Sequence, residues 1–203
     1  MMTDTDGKYF KLNADIDIGG SMWDSYIGSE AHPFKGHFDG NGKVVKNFRI
    51  MIPGPATGEQ SYAALFGVTD GNAVIEKLGI VNVEINSANG RYGENAGGIA
   101  ALILGNTRIS NCYARELSVT YKKKEAEINA VAPIAGTSRS DETVIENCYS
   151  VGVNIPDSNV DYDAGILGRG DDFGRIENCY SNFSIVRTDD SLKDRVINSY
   201  YCG

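Results

Sequence analysis

Apolar positions along this chain fall in short runs of period two, not at the spacing of three and four that marks an amphipathic helix. Val83-Glu84-Ile85, Leu117-Ser118-Val119, Val153-Asn154-Ile155 and Phe183-Ser184-Ile185 each place two apolar side chains on one side of an extended backbone and a polar one on the other. Each triplet follows, by seven or eight residues, a phrase that returns with small changes. The phrase is ISNCYA from Ile109, IENCYS from Ile145 and from Ile176, and INSYYC from Ile197, with a diverged copy, IEKLGI, from Ile75. VKNFRI from Val45 reads as an earlier copy. Ten or eleven residues before the four anchors from Ile75 to Ile176 lies a small-residue, apolar segment: ALFG around Leu65, GGIAA around Ile99, APIAG around Ile134 and AGILG around Ile166.

The anchors themselves are unevenly spaced, yet the segments before and after them keep constant offsets, as stacked coils with insertions require. A unit of three short strands cannot bury its own apolar face, so its stability must come from neighbours stacked through parallel sheets. The expectation is an all-β, right-handed parallel β-helix of about four to five three-strand coils with an N-terminal capping region. Residues 1–203 then form one domain, with 1–60 as cap and first coil and 61–203 as repeat coils. A β-propeller needs antiparallel blades joined by tight hairpins, and that punctuation is missing.

Stacking in register puts Asn111, Asn147 and Asn178 in one column and Cys112, Cys148 and Cys179 in the next. The asparagines are expected to hydrogen-bond along the helix axis at the strand spacing of about 4.8 Å. In-register cysteine side chains point the same way, which is poor geometry for a disulfide, so these three are expected as buried, reduced, small hydrophobes. Cys202 stands outside the ladder and receives no role.

Several phrases together resemble a known family. KYFKLNADIDI from Lys8, Trp23 with Ile27-Gly28, PFKGHFDGNGKVVKNFRI from Pro33, and ALFG followed by VIEKLGIVNVEI look like the GLUG-type repeat proteins. These are bacterial surface proteins of gut Bacteroidetes and Firmicutes, similar to regions beside immunoglobulin A peptidase domains and in filamentous adhesins. The resemblance implies an extracellular or cell-surface location and a chain that is a fragment of a longer surface protein, with Met2 as the remnant of a preceding Leu-x-x-Met segment. Within FDGNG, Asp39 to Gly42 are expected to form a tight turn between strands, with Gly40 and Gly42 taking positive φ.

Composition narrows the partners. A formal net charge of -8 repels a phosphate backbone, so no nucleic acid partner is expected. The one basic run, Lys122 to Lys124, is followed at once by Glu125 and Glu127. No apolar stretch is long enough to span a bilayer, so no transmembrane segment is expected. The start of the chain, MMTDTDGKYF, has neither the basic nor the apolar region of a signal peptide.

Candidate chemistry is sparse. Asp161 and Asp163 stand at i and i+2 and could share a face, but no carboxylates match them in neighbouring coils, so no catalytic residues are expected. The loop holding Asp157, Asn159, Asp161 and Asp163 lacks the glycine and glutamate of a calcium loop, and His32 and His37 have no companions at zinc spacing. Neither metal nor cofactor is expected. Three long segments between coils, residues 86–98, 120–133 and 156–165, remain as the place for function, stacked on one edge. They supply Arg91, Tyr92, Tyr121, Lys123, Asp161 and Tyr162, a mixture suited to glycan or protein contact. The expected function is a non-enzymatic, adhesin-like surface module binding extracellular glycan or a host or microbial protein. The alternatives are a carbohydrate-active β-helix enzyme, such as a polysaccharide lyase or hydrolase, and a spacer with no ligand. A carboxylate cluster in a groove would favour the enzyme, and an absence of exposed aromatics would favour the spacer.

Overall fold

The computed structural model describes residues 4–23, 25–52, 61–87, 94–121, 128–156 and 160–186. These form parallel strands stacked as a β-solenoid, with no helix among the described residues. The N-terminal layers hold β1 (Tyr9–Lys11), β2 (Ile16–Trp23) and β3 (His37–Ile52). Next come β4 (Ser61–Ala63), β5 (Phe66–Thr69) and β6 (Val74–Ser87), followed by β7 (Glu94–Gly97), β8 (Ala100–Ile103), β9 (Arg108–Ser110) and β10 (Tyr113–Tyr121). The third layer is β11 (Ile128–Ala132), β12 (Ala135–Glu146) and β13 (Tyr149–Pro156), and the fourth is β14 (Val160–Asp163), β15 (Leu167–Glu177) and β16 (Tyr180–Val186). From β4 through β7 and β11 to β14 the chain completes about three turns. That is slightly fewer than expected; the anchor at Ile197 lies outside the described residues.

The inward column that defines the repeat is continuous. Phe10 pairs with Phe38, Phe38 with Ile75, Ile75 with Ile109, Ile109 with Ile145 and Ile145 with Ile176. Phe38 therefore holds the place that the sequence pattern assigned to Val45, whose register partner is Ile80. The misassignment has a simple cause, since an aromatic side chain fills the inward position where the later coils have isoleucine. The triplets stack as expected: Phe48 on Val83, Val83 on Leu117, and Ile50 on Ile85, all buried.

Each coil opens with a strand that the sequence pattern does not predict. Residues 94–97, 128–132 and 160–163, all within segments read as loops, pair with one another and with β4 in a second sheet. The small-residue segments read as strands hold both the bend that follows this sheet and the first residues of β5, β8, β12 and β15. At each bend one apolar side chain points into the core: Leu65, Ile99, Ile134 and Ile166, none more than 2% exposed.

Two columns of left-handed backbone mark the other corners. Lys77, Asn111, Asn147 and Asn178 lie between φ 50° and 53°, and further on Asn47, Asn82, Glu116 and Gly152 lie between 54° and 67°. Asparagine tolerates this region better than most residues, which accounts for its recurrence. The axial hydrogen bonding expected of Asn111, Asn147 and Asn178 occurs at the second corner instead, where Asn82 Nδ2 donates to Asn47 Oδ1 at 2.8 Å and Asn47 Nδ2 to the Asp17 carboxylate at 2.9 Å. The FDGNG phrase is a bulge within β3, not a turn between separate strands. Asn41 and Gly42 take positive φ there, while Gly40 does not.

Cys112, Cys148 and Cys179 are free and buried. Each thiol lies 3.2 Å from the carbonyl two residues before it: Ser110, Glu146 and Glu177. Hydrogen bonding to the neighbouring cysteine, together with burial, pushes the Cys148 and Cys179 thiols well above the usual range. They are therefore held protonated and unreactive. Cys202 lies outside the described residues.

Candidate functional site

In three copies of the repeat phrase a tyrosine follows the cysteine, and alternation turns that residue outward when the cysteine faces in. Register carries the consequence up the stack: Gly79 pairs with Tyr113, Tyr113 with Tyr149 and Tyr149 with Tyr180. The rings of Tyr113 and Tyr149 are stacked, with centroids 5.1 Å apart and planes 6° from parallel. Tyr149 is 37% exposed and Tyr180 48% exposed. Tyr113 leans over Gly79, where an added Cβ would lie 2.4 Å from its Cζ. Partial burial raises the Tyr113 pKa, and the neighbouring Tyr149 adds to the shift. At neutral pH Tyr113 is therefore a neutral phenol.

The backbone that positions these rings is firmly paired. Tyr149 N–H donates to the Cys112 carbonyl at 3.1 Å, and Tyr180 N–H to the Cys148 carbonyl at 3.0 Å. Two residues before each tyrosine, at the left-handed corner, Asn111, Asn147 and Asn178 are exposed. Two residues after, the column carries Arg115, Val151 and Asn182. A strip of phenol rings is thus edged by carboxamides over a length of about 10 Å, two strand spacings.

Beyond the corner, the outward positions of the anchor strands form a band of paired charges. Tyr9 OH donates to Asp39 Oδ2 at 2.7 Å, Lys11 lies 3.7 Å from the same oxygen, and His37 Nε2 is 2.9 Å from Glu76 Oε1. Lys77 pairs with Glu76 at 3.2 Å, Arg108 with Glu146, and Arg175 with Glu177 at 3.1 Å. Asp39 and Glu76 are register partners, which makes them the pair to test for hydrolytic chemistry. The Tyr9 hydroxyl and the Asn41 N–H hold Asp39 below the usual carboxylate range. Burial pushes Glu76 up, but its bonds to His37 and Lys77 outweigh that and hold it low as well. An acid and base pair needs its two pKa values driven apart, and here both are driven down.

The residues expected from the sequence are distributed differently. Tyr121 ends β10, with its backbone paired to Ser87 in the sheet that carries the tyrosine column. Asp161 and Tyr162 belong to β14 in the other sheet, with Tyr162 paired to Ala130. Arg91, Tyr92, Lys123, Asp157 and Asn159 lie outside the described residues. The strand ends flanking the three long segments do stack, Ser87 with Tyr121 and Glu94 with Ile128 and then Val160. Among the described residues no group of three or more His, Cys, Asp or Glu could hold a metal ion, and no helix is long and apolar enough to cross a membrane. The tyrosine column went unnoticed in the sequence although its signal was present: Tyr follows Cys in each of the three stacked copies.

No known family model matches the chain, and no curated protein matches it. Among solved structures, a crystal structure described as a candidate immunoglobulin A1 protease from Bacteroides ovatus aligns over 91% of this chain and 74% of its own, with 20% identity and a TM-score of 0.46.

Proposed function

We propose that the chain is a non-enzymatic, extracellular or cell-surface module that binds a neutral glycan along the Tyr113, Tyr149 and Tyr180 column. The observation that carries this reading is the in-register tyrosine column, with Tyr113 and Tyr149 stacked, Tyr149 and Tyr180 exposed, and exposed asparagines along its edge. Tyrosine offers large, stiff, amphipathic contact area at little entropic cost, and carboxamides both donate to and accept from sugar hydroxyls. The net charge of -8 disfavours an anionic polysaccharide. Asp39 and Glu76, both held below the usual carboxylate range, do not supply the protonated acid that the hydrolase alternative needs. The surface location rests on the resemblance to GLUG-type repeat proteins.

A glycan array probed with the purified full chain tests this reading, followed by titration of the strongest neutral glycan. A Kd of about 10⁻⁴ to 10⁻³ M is expected for so small a strip. The double variant Tyr149→Ala, Tyr180→Ala should weaken it at least about tenfold, the effect of losing roughly 1.4 kcal/mol. Silence across neutral glycans, or binding that survives the double variant, would remove the proposal.

A further inference from the structure

At the N-terminal end of the stack, where Phe10 and Phe38 continue the inward column, there is a cavity of about 310 Å³. Its walls are Phe10, Phe34, Phe38, Tyr26 and Ile27, with His32 at the rim. We infer that this cavity is a second binding site, separate from the tyrosine column, that takes a small aromatic molecule of about one ring bearing a single polar substituent.

Three observations lead there. The cavity is predominantly apolar, and apolar cavities of ~150 Å³ in proteins stay dry and take up benzene, so one about twice that size accommodates a substituted ring. Its phenylalanines already pack as tilted and edge-on neighbours of one another and of Phe66, which lies outside the lining. Phe10 and Phe34 lie 5.8 Å apart at 50°, Phe34 and Phe66 5.0 Å at 58°, and Phe38 and Phe66 5.2 Å at 81°. A further ring would continue that arrangement with the edge-to-face geometry aromatic pairs prefer. Polar groups, the Thr5 hydroxyl, Ser25 and His32, are few among the lining residues, which suits one polar substituent and not a sugar ring studded with hydroxyls.

The walls are also held apart, so the space is not one that side chains can simply close. Ile27 N–H donates to the Leu65 carbonyl at 3.1 Å, and Phe34 N–H to the Val68 carbonyl at 2.9 Å. Tyr26 OH donates to the Met51 carbonyl at 2.8 Å, and Lys35 N–H to Thr5 Oγ1 at 2.8 Å. Gly28, at φ 85°, sits where an added Cβ would lie 2.3 Å from the Val68 carbonyl oxygen, which locks the segment against β5. A pre-formed cavity of this kind binds without an ordering cost.

The test is titration of the full chain with p-cresol by NMR, with cyclohexanol as the aliphatic ring of similar size. Saturable p-cresol binding with a Kd of about 10⁻⁴ M is expected, modest for so small a ligand. Its contacts should fall on the Phe10, Phe34 and Phe38 rings, with cyclohexanol at least about tenfold weaker. Ile27→Trp should fill the cavity and abolish binding; His32→Trp, at the exposed rim, serves as the blocking variant if the first does not fold. No saturable binding to the folded chain, contacts elsewhere, equal cyclohexanol binding, or binding that survives the blocking variant would each overturn the inference. None of these results depends on whether the tyrosine column binds glycan.

Discussion

Tyr113 and Tyr149, thirty-six positions apart in the chain, stack ring on ring at 5.1 Å because the repeat places them in register on adjacent strands. Stacked aromatic pairs contribute about 0.5–1.5 kcal/mol beyond the area they bury. A double-mutant cycle with Tyr113→Ala and Tyr149→Ala, measured by urea unfolding, should give a coupling energy of about 1 kcal/mol. Tyr180→Ala paired with Tyr113→Ala should show almost none, because the two rings are two strands apart. Equal coupling in the two cycles would contradict the stacked column.

Ile145 sits in the middle of the inward column, fully buried between Ile109 and Ile176. Truncation there removes apolar contact and leaves a void between two layers that backbone hydrogen bonds hold at fixed spacing. Ile145→Ala should therefore cost about 2–5 kcal/mol in equilibrium unfolding. A value near zero would mean that the side chain does not face the core.

The isoleucine column is legible because a large β-branched residue recurs at one inward position with constant offsets to its neighbours. The strand that opens each coil is not legible, because ENAG, INAVA and VDYD lack apolar alternation. Asn95, Ala96, Ala130 and Val131 are all fully buried on consecutive positions, so no period of two reaches the sequence. Thr137 Oγ1 donates to Asn95 Oδ1 at 2.6 Å inside the structure, a polar contact that resembles loop composition when read one residue at a time. The left-handed corner was half legible. Asparagine marks it at residues 111, 147 and 178, but Lys77 holds the same conformation with no such mark. The tyrosine column is less legible because the constancy of IENCYS points first to its asparagine and cysteine, although alternation after a buried cysteine directs the tyrosine outward.

The Tyr9 bond to Asp39 makes a prediction about acid stability. Asp39 has its pKa lowered in the fold, first by the Tyr9 hydroxyl and then by the Asn41 N–H. A carboxylate with a depressed folded pKa stabilises the protein above its unfolded pKa of about 3.9, and that contribution is lost as pH falls through the folded value. Tyr9→Phe removes the larger bond, so the Asp39 pKa should rise toward the ordinary value. The variant should be less stable than the parent at pH 7, with the difference shrinking below about pH 4. Asp39 titration followed by NMR against unfolding curves at matched pH checks it; a difference that grows on acidification would have the wrong sign.

Two glycines two positions apart, Gly40 and Gly42, should fail for different reasons. Gly42 takes φ 69° with nothing within 4 Å of an added Cβ, so its constraint is conformational. Gly40 has ordinary φ, but an added Cβ would lie 2.4 Å from the Lys77 carbonyl oxygen and 2.6 Å from Leu78 Cα on the next strand, so its constraint is contact. Asparagine tolerates the left-handed region better than alanine does. Gly42→Ala should therefore cost about 1–2 kcal/mol, the penalty for a non-glycine residue in that region, and Gly42→Asn should recover part of it. At Gly40, alanine and asparagine should be alike in forcing β3 away from β6, at a cost larger than that of Gly42→Ala. Thermal unfolding of the four variants decides the matter: rescue by asparagine at both positions would mean that backbone conformation, not the approach of β6, accounts for Gly40.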